Sequence, residues 1–182
     1  MNKYGKKCIV FQVFLSKELV GEEVVVHDKN SRPSWDSVWM SVADTIAARS
    51  RCSRAQIGAV IVANDQRISS TGYNGPAATY PAEGSCVNWC ARGRGETELD
   101  NVYDSCPSIH AEANALLYVD RSRVEGGTIY ITDVACLQCA KLVSNSGIKR
   151  VVTRVASSAA HRKPELTLEY FKKCDIEVTI LE

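Results

Sequence analysis

The sequence predicts an α/β fold, a sheet of about five strands with helices on its faces. Three observations carry that reading. Beyond residue 108 helical and strand-like segments alternate regularly, residues 57 to 73 read as a continuous buried-type strand, a polar turn and a second strand, and an amphipathic helical pattern starts at Ser34. A sheet apolar on both faces needs a helix stripe against each of them.

The first 33 residues read as an accessory hairpin or arm with a linker, because "IVFQVFL" and "EEVVV" are strand-like, Gly21 separates them and "HDKNSRP" is polar. The opening "MNKYGKKCIVFQVFLSKELVG" imitates a secretory leader. Its apolar run is short, contains Gln12 and lacks a small-residue cleavage site, so it is read as mature chain.

The main domain is expected over 34–182. Ser34 is the expected N-cap of a helix whose apolar face carries Trp35, Val38, Trp39, Val42, Ile46 and Ala47. "IGAVIVA", "NDQ" and "RISSTGY" then make a hairpin. Residues 74 to 107 are rich in Gly, Pro, Asn and charge; a loop of that length in a domain is functional or tied down, and Cys86, Cys90 and Cys106 are the residues to tie it. A helix over about 108–119 follows, started by Pro107 and capped by Ser108. After it come strand "TIYIT", a helix over about 136–146 ending at Gly147, strand "RVVTRV", a helix over about 164–173 and strand "IEVTIL".

Composition narrows the partners. The 182 residues are 45% hydrophobic and 24% charged, with a formal net charge of +1, which offers no basic field for a long polyanion, so nucleic acid is not an expected partner. No apolar stretch approaches the ~20 residues of a membrane helix. Eight cysteines are many, but "CLQC" and the thiols near the histidine segment lack the spread of an extracellular staple. They favour reduced thiols, metal binding and a cytoplasmic setting. Cys8 and Cys174 are read as packing residues.

Cys136 and Cys139 follow a strand and open a helix, where free N–H groups and the positive dipole end favour thiolate. Taken alone, the pair reads equally as a thioredoxin-like redox motif or as half a set of zinc ligands. His110, at the start of the preceding helix, changes this: successive helices on one sheet face bring their starts together. One histidine and two thiolates then leave a fourth tetrahedral position open for water, the arrangement of a catalytic zinc. Glu112 lies about 200° around the helix from His110 at ~3.6 residues per turn, placed to move protons rather than to ligate. Such a set suits hydrolytic removal of ammonia from an aminopyrimidine.

"HAEANAL", followed by a strand and "CLQCAKLVSNSGIKRV", resembles the zinc-dependent cytidine deaminase superfamily, with its H-x-E and P-C-x-x-C signature. "IGAVIVANDQRISSTGYNGPA" narrows the resemblance to the deoxycytidylate (dCMP) deaminases through its G-Y-N-G. It covers roughly residues 35 to 182. One departure is Ala135, where the family has a proline that would rigidify the helix start.

The resemblance implies a three-layer α/β/α, cytidine-deaminase-like fold with a mixed sheet of about five strands. It implies a catalytic zinc on His110, Cys136 and Cys139, with Glu112 protonating the ring N3 and the departing ammonia. Asn74, Ala111 and Arg54 would be substrate-binding, Asn74 toward the deoxyribose, although Asn-Gly is also a turn signal in its own right. Gly72, Tyr73, Asn74 and Gly75 would bind effectors, dCTP activating and dTTP inhibiting, in a homo-oligomer, commonly a hexamer. The substrate would be dCMP and the product dUMP, a precursor for thymidylate, in the cytoplasm or, for a phage protein, the host cytoplasm. A second, structural zinc would sit on Cys52, Cys86, Cys90 and Cys106, unless Cys52 is a buried small hydrophobe.

A nucleotide needs a phosphate site, for which Arg49, Arg51, Arg54, Arg92 and Arg94 are candidates; "RSRCSR" also reads as a solvated helix end. Asn114 is expected to line the pocket. Alternative readings are a deaminase of free cytidine or deoxycytidine or of another cytosine nucleotide, a CxxC thiol-redox protein, and a non-catalytic zinc module.

Overall fold

In the computed structural model, which describes residues 32–97, 103, 105–155 and 163–181, Ser34 opens helix α1 (Trp35–Ala47), its hydroxyl accepting from the Ser37 amide at 3.1 Å. The arm expected over residues 1–33, with Cys8, lies outside the described residues but for its last two. The unit containing the rest runs from Pro33 to Glu182.

The expected apolar face of α1 is rotated. Met40, Ala43 and Ala47 are buried, with Trp39 and Val42 packed against the same cluster, while Trp35 stays 49% exposed and stacks on Trp39 at 5.1 Å. Opposite Gly58 the small Ala43 and Ala47 face the sheet, because α1 lies close enough there that a Cβ on Gly58 would meet the Ala43 carbonyl.

Strands β1 (Gly58–Val62) and β2 (Ile68–Tyr73) form the expected hairpin, antiparallel, with a register shift at Ile61/Val62. A two-residue strand β3 (Gly75–Pro76) follows, and a single 3₁₀ turn at Cys86–Asn88 interrupts the long loop. Strand β4 (Ser108–Ile109), helix α2 (Ala111–Leu117), the short helix α3 (Arg121–Val124) and strand β5 (Thr128–Ile131) come next, then α4 (Leu137–Ser146), β6 (Arg150–Thr153), α5 (Pro164–Lys173) and β7 (Glu177–Ile180). The order β2-β1-β5-β6-β7 makes a mixed sheet: β1 runs antiparallel to both neighbours, while β5, β6 and β7 are parallel.

Strand alternation separates two cores. Val60, Val62, Tyr130 and Val152 face α1; Ala59, Ile61, Ile129, Ile131 and Val151 face Ala111 and Ala115 of α2, Ala140 and Val143 of α4, and Phe171 of α5. Three layers result, as the resemblance implies. Ile61, Ile129 and Val152 have no exposed surface, and each such side chain stabilises the fold by about 1.5–3 kcal/mol of transfer free energy. The sheet is further tied to α1 by Arg150, whose guanidinium donates both ways to Asp36 at 2.8 Å, with Tyr130 donating to the same carboxylate at 2.9 Å.

Two local expectations are corrected. Ser108 does not cap a helix: Ser108 and Ile109 pair with Pro76 and Gly75, so the backbone stays extended until His110. The helix after it also stops sooner, at Leu117, and Asp120 caps the separate α3 by accepting from the Ser122 amide at 2.8 Å.

Candidate active site

The site is assembled at two helix starts. His110 is the N-cap of α2, placed by the β3–β4 bridge, and Cys136 is the N-cap of α4, placed by the end of β5. Thr132 Oγ1, just past β5, accepts from the Gly58 amide at 3.1 Å, which fixes the loop to Cys136 against β1. Cys139 lies one turn into α4. The helix then ends as its sequence predicts, at Gly147 with φ 99°, a left-handed cap that glycine adopts without a steric penalty.

These elements bring His110 Nδ1 within 3.4 Å of both Cys136 Sγ and Cys139 Sγ. Among the described residues these three form the set whose ligand atoms all lie within 4.8 Å of one another. The donor chemistry and spacing fit zinc: a tetrahedral ion with Zn–S near 2.3 Å and Zn–N near 2.0–2.1 Å holds nitrogen and sulfur about 3.6 Å apart. Both cysteines are buried.

The thiols do not share their charge equally. The hydrogen bond from Cys139 and the neighbouring His110 hold the Cys136 thiol well below its usual range. Cys139 is pushed up by that same hydrogen bond to Cys136, by burial and by the carboxylate of Glu112. The proton is therefore held in preference on Cys139. A divalent ion would remove the remaining proton.

Glu112, in the first turn of α2, is only 4% exposed and stands beside Cys139 outside the ligand set. It lines a cavity of about 300 Å³ together with His110, Ala111, Cys136 and Val134. That volume is at the lower end for a small-molecule site.

Arg54 and Arg92 line this cavity, whereas Arg49, Arg51 and Arg94 do not; Arg94 is paired with Glu96 at 2.6 Å and Arg51 donates to the Ala82 carbonyl. Asn74 also lines it, with its amide engaged by the chain: Oδ1 accepts from the Ile57 amide at 2.8 Å and Nδ2 donates to the Ala55 carbonyl at 2.9 Å. Asn114 does not line it; its Nδ2 donates to the Tyr73 carbonyl at 2.8 Å, clamping α2 to the end of β2.

Around the Gly-Tyr-Asn-Gly stretch, Gly72 is buried where α2 crosses β2, and a Cβ there would meet the Ala111 carbonyl. That packing leaves no room for a side chain at Gly72. Tyr73 is 37% exposed and Gly75 is paired with Ile109.

Cys52, Cys86, Cys90 and Cys106 all border the cavity but are not within 4.8 Å of one another as a set. Cys86 Sγ accepts from the Ser53 amide at 3.1 Å and Cys90 Sγ from the Gly93 amide at 3.3 Å. Burial, opposed by the Ser108 amide and assisted by Cys90 beside it, pushes the Cys106 thiol up.

Five lining residues escape the sequence reading: Ala55, Ile57, Gly93, Tyr103 and Val134. Tyr103 sits in the polar loop with no periodic pattern to single it out. Val134 could be found only by counting back from Cys136.

Fold and site together define a metal-site α/β protein, with a histidine and two cysteines converging at helix starts beside a buried glutamate. The chain belongs to the family of the cytidine and deoxycytidylate deaminase zinc-binding region, whose model matches residues 33–155. It is 41% identical over 123 residues to the deoxycytidylate deaminase of Mycobacterium phage D29, covering 67% of this chain and 95% of that one. It is 33% identical over 131 residues to the human deoxycytidylate deaminase, covering 71% and 70%. The Schizosaccharomyces pombe deoxycytidylate deaminase is 40% identical over 124 residues; the match covers 66% of this chain and 37% of that longer protein. The dCMP deaminase of cyanophage S-TIM5, crystallised with dCMP and dUMP, shares the fold with a TM-score of 0.62 at 22% identity, over 83% of this chain and 99% of that one. Among the described residues no helix is long and apolar enough to cross a membrane.

Proposed function

We propose that the chain catalyses the hydrolytic deamination of dCMP to dUMP and ammonia. One observation carries this reading: a complete His110, Cys136 and Cys139 set with buried Glu112 beside it, opening on a cavity that also holds Arg54 and Arg92. Relatives with the same named activity, one matched over 95% of its length, support the choice of substrate.

Zinc held by His110, Cys136 and Cys139 would supply a Lewis acid able to lower the pKa of water to about 7. Glu112 does the proton work. It accepts a proton from the attacking water and delivers it to N3 of the cytosine ring, then takes the proton of the new C4 hydroxyl and passes it to the exocyclic amine as the C4–N bond breaks and the C4 carbonyl forms. One water is consumed and one ammonia leaves, so Glu112 ends each cycle in its starting state. Ala111, fully buried against the cavity, limits the space around the base. Asn74 holds the segment of Ala55 and Ile57 that forms a wall beside the sugar. Arg54, exposed at the cavity, reads the 5′-phosphate.

The finer parts of this reading are a second, structural zinc on Cys52, Cys86, Cys90 and Cys106, supported by amide-to-sulfur hydrogen bonds at two of those thiols. They also include control by dCTP and dTTP at residues 72–75, assembly into a homohexamer, supply of dUMP for thymidylate, an N-terminal arm on a deaminase domain, and a cytoplasmic setting. The deciding experiment measures ammonia release from dCMP, deoxycytidine and dCTP, each with and without dCTP or dTTP as effector. Turnover of dCMP well above that of deoxycytidine is expected. Equal turnover of the free nucleoside would remove the phosphate site and favour a nucleoside deaminase.

A further inference from the structure

We propose that Tyr103 is the positioning residue of the metal set, a tyrosine that fixes the plane of the His110 imidazole and is itself held by Arg92. The proposal rests on reading His110, Cys136 and Cys139 as that set. A histidine ring turns about a broad two-fold torsion, so its rotamer preference does not by itself aim Nδ1. Yet Nδ1 must point between two sulfurs, and it lies 3.4 Å from each. Something must fix the ring plane.

Tyr103 does this by packing. Its ring meets that of His110 at 4.5 Å between centroids with an interplanar angle of 89°, the close limit of an edge-to-face pair. A turn of the imidazole would drive it into the tyrosine. Arg92 in turn lays its guanidinium carbon 4.5 Å from the centre of the Tyr103 ring and is 3% exposed. The Arg92 carbonyl accepts from Arg54 Nη1 at 3.0 Å, which joins this stack to a second cationic residue of the cavity. The backbone is consistent with a placement set by tertiary contacts: Tyr103 has φ 64°, a left-handed conformation that a bulky side chain adopts only when its surroundings impose it.

The test compares Tyr103→Phe and Tyr103→Leu in the full chain. Zinc affinity is read by competition with a chromophoric chelator, and ligand geometry by the visible bands of the cobalt(II)-substituted protein. Tyr103→Phe keeps the ring and is expected to bind zinc within about threefold of the parent, whereas Tyr103→Leu is expected to weaken zinc binding by about 10- to 100-fold and to shift the cobalt bands. The unfolding midpoints of the two metal-free variants are expected to agree. Equal zinc affinity and identical bands in the two variants would overturn the proposal, as would an equal loss in both, which would point to the hydroxyl. If Tyr103→Leu does not fold, Tyr103→Met, apolar but without a ring plane, takes its place with the same two outcomes. A parent chain that takes up no zinc overturns the reading of the metal set itself; a parent that binds zinc while the ringless variant is unchanged overturns the role of Tyr103 alone.

Discussion

Replacing Glu112 by glutamine separates proton transfer from metal binding, because the carboxylate acts on both. Glu112 is almost fully buried, and its charge and hydrogen bond are among the influences that hold the Cys139 proton in place. The amide removes the charge and the proton carrier but keeps the shape. Loss of general acid–base catalysis costs about 10²–10⁴ in rate, and at 1.36 kcal/mol per tenfold this is about 3–5 kcal/mol of transition-state stabilisation. Zinc affinity moves the other way. A neutral neighbour makes the Cys139 thiolate easier to form, so Glu112→Gln is expected to bind zinc as tightly as the parent or more tightly. The assay pairs steady-state ammonia release from dCMP with metal content and chelator competition on the same preparation. Turnover within tenfold of the parent would remove Glu112 from the mechanism. A variant that loses its zinc would show that the carboxylate supports the metal, against the charge argument.

Other substitutions test the scaffold. Gly72→Ala places a methyl 2.2 Å from the Ala111 carbonyl and 2.5 Å from the Ala115 amide nitrogen, so α2 must shift. A destabilisation of about 1–3 kcal/mol is expected in denaturant unfolding, and an unchanged midpoint would disprove the close approach. Asp36→Asn breaks the bidentate pair with Arg150, about a quarter exposed on each side, at an expected cost of about 1–2 kcal/mol. The hydrogen bond from Arg150 lowers the Asp36 pKa, so the pair's stabilisation is complete above the unfolded value of about 3.9 and is lost as pH falls through the lowered one. The variant should therefore flatten the acid limb of stability against pH; an acid limb as steep as the parent's would count against the pair. Cys90→Ser is expected to lower the unfolding temperature and remove one zinc equivalent while the catalytic metal stays. A zinc content that does not change would exclude the second site on these four thiols.

The amino-acid order was most informative where structure depends on neighbours in sequence. Ser34 as a cap, Gly147 as a stop, the 58–73 hairpin and the alternation of strands and helices beyond it are all set by local chemistry: a hydroxyl near free amides, a residue that tolerates positive φ, side chains that alternate across a strand. The α3 helix carries such a signal too, in the Asp120 cap, but it is too short for periodicity to reveal.

His110, Glu112, Cys136 and Cys139 were legible for a related reason. Their chemistry is restricted to a few residue types, and their placement at helix starts follows from the order of elements. Sequence alone thus determined the α/β class, the order of the main helices and sheet strands, and the candidate metal set. Only the tertiary structure decided what depends on segments far apart in the chain. The pairing of Ser108 with Pro76 moves a helix start to His110; the depth at which α1 meets Gly58 turns Trp35 outward; Asn114 is claimed by the Tyr73 carbonyl; and Tyr103 reaches His110 from a loop without a pattern. Each outcome turns on which surfaces meet, and the free energy of such a contact belongs to two segments at once, so neither segment encodes it by itself.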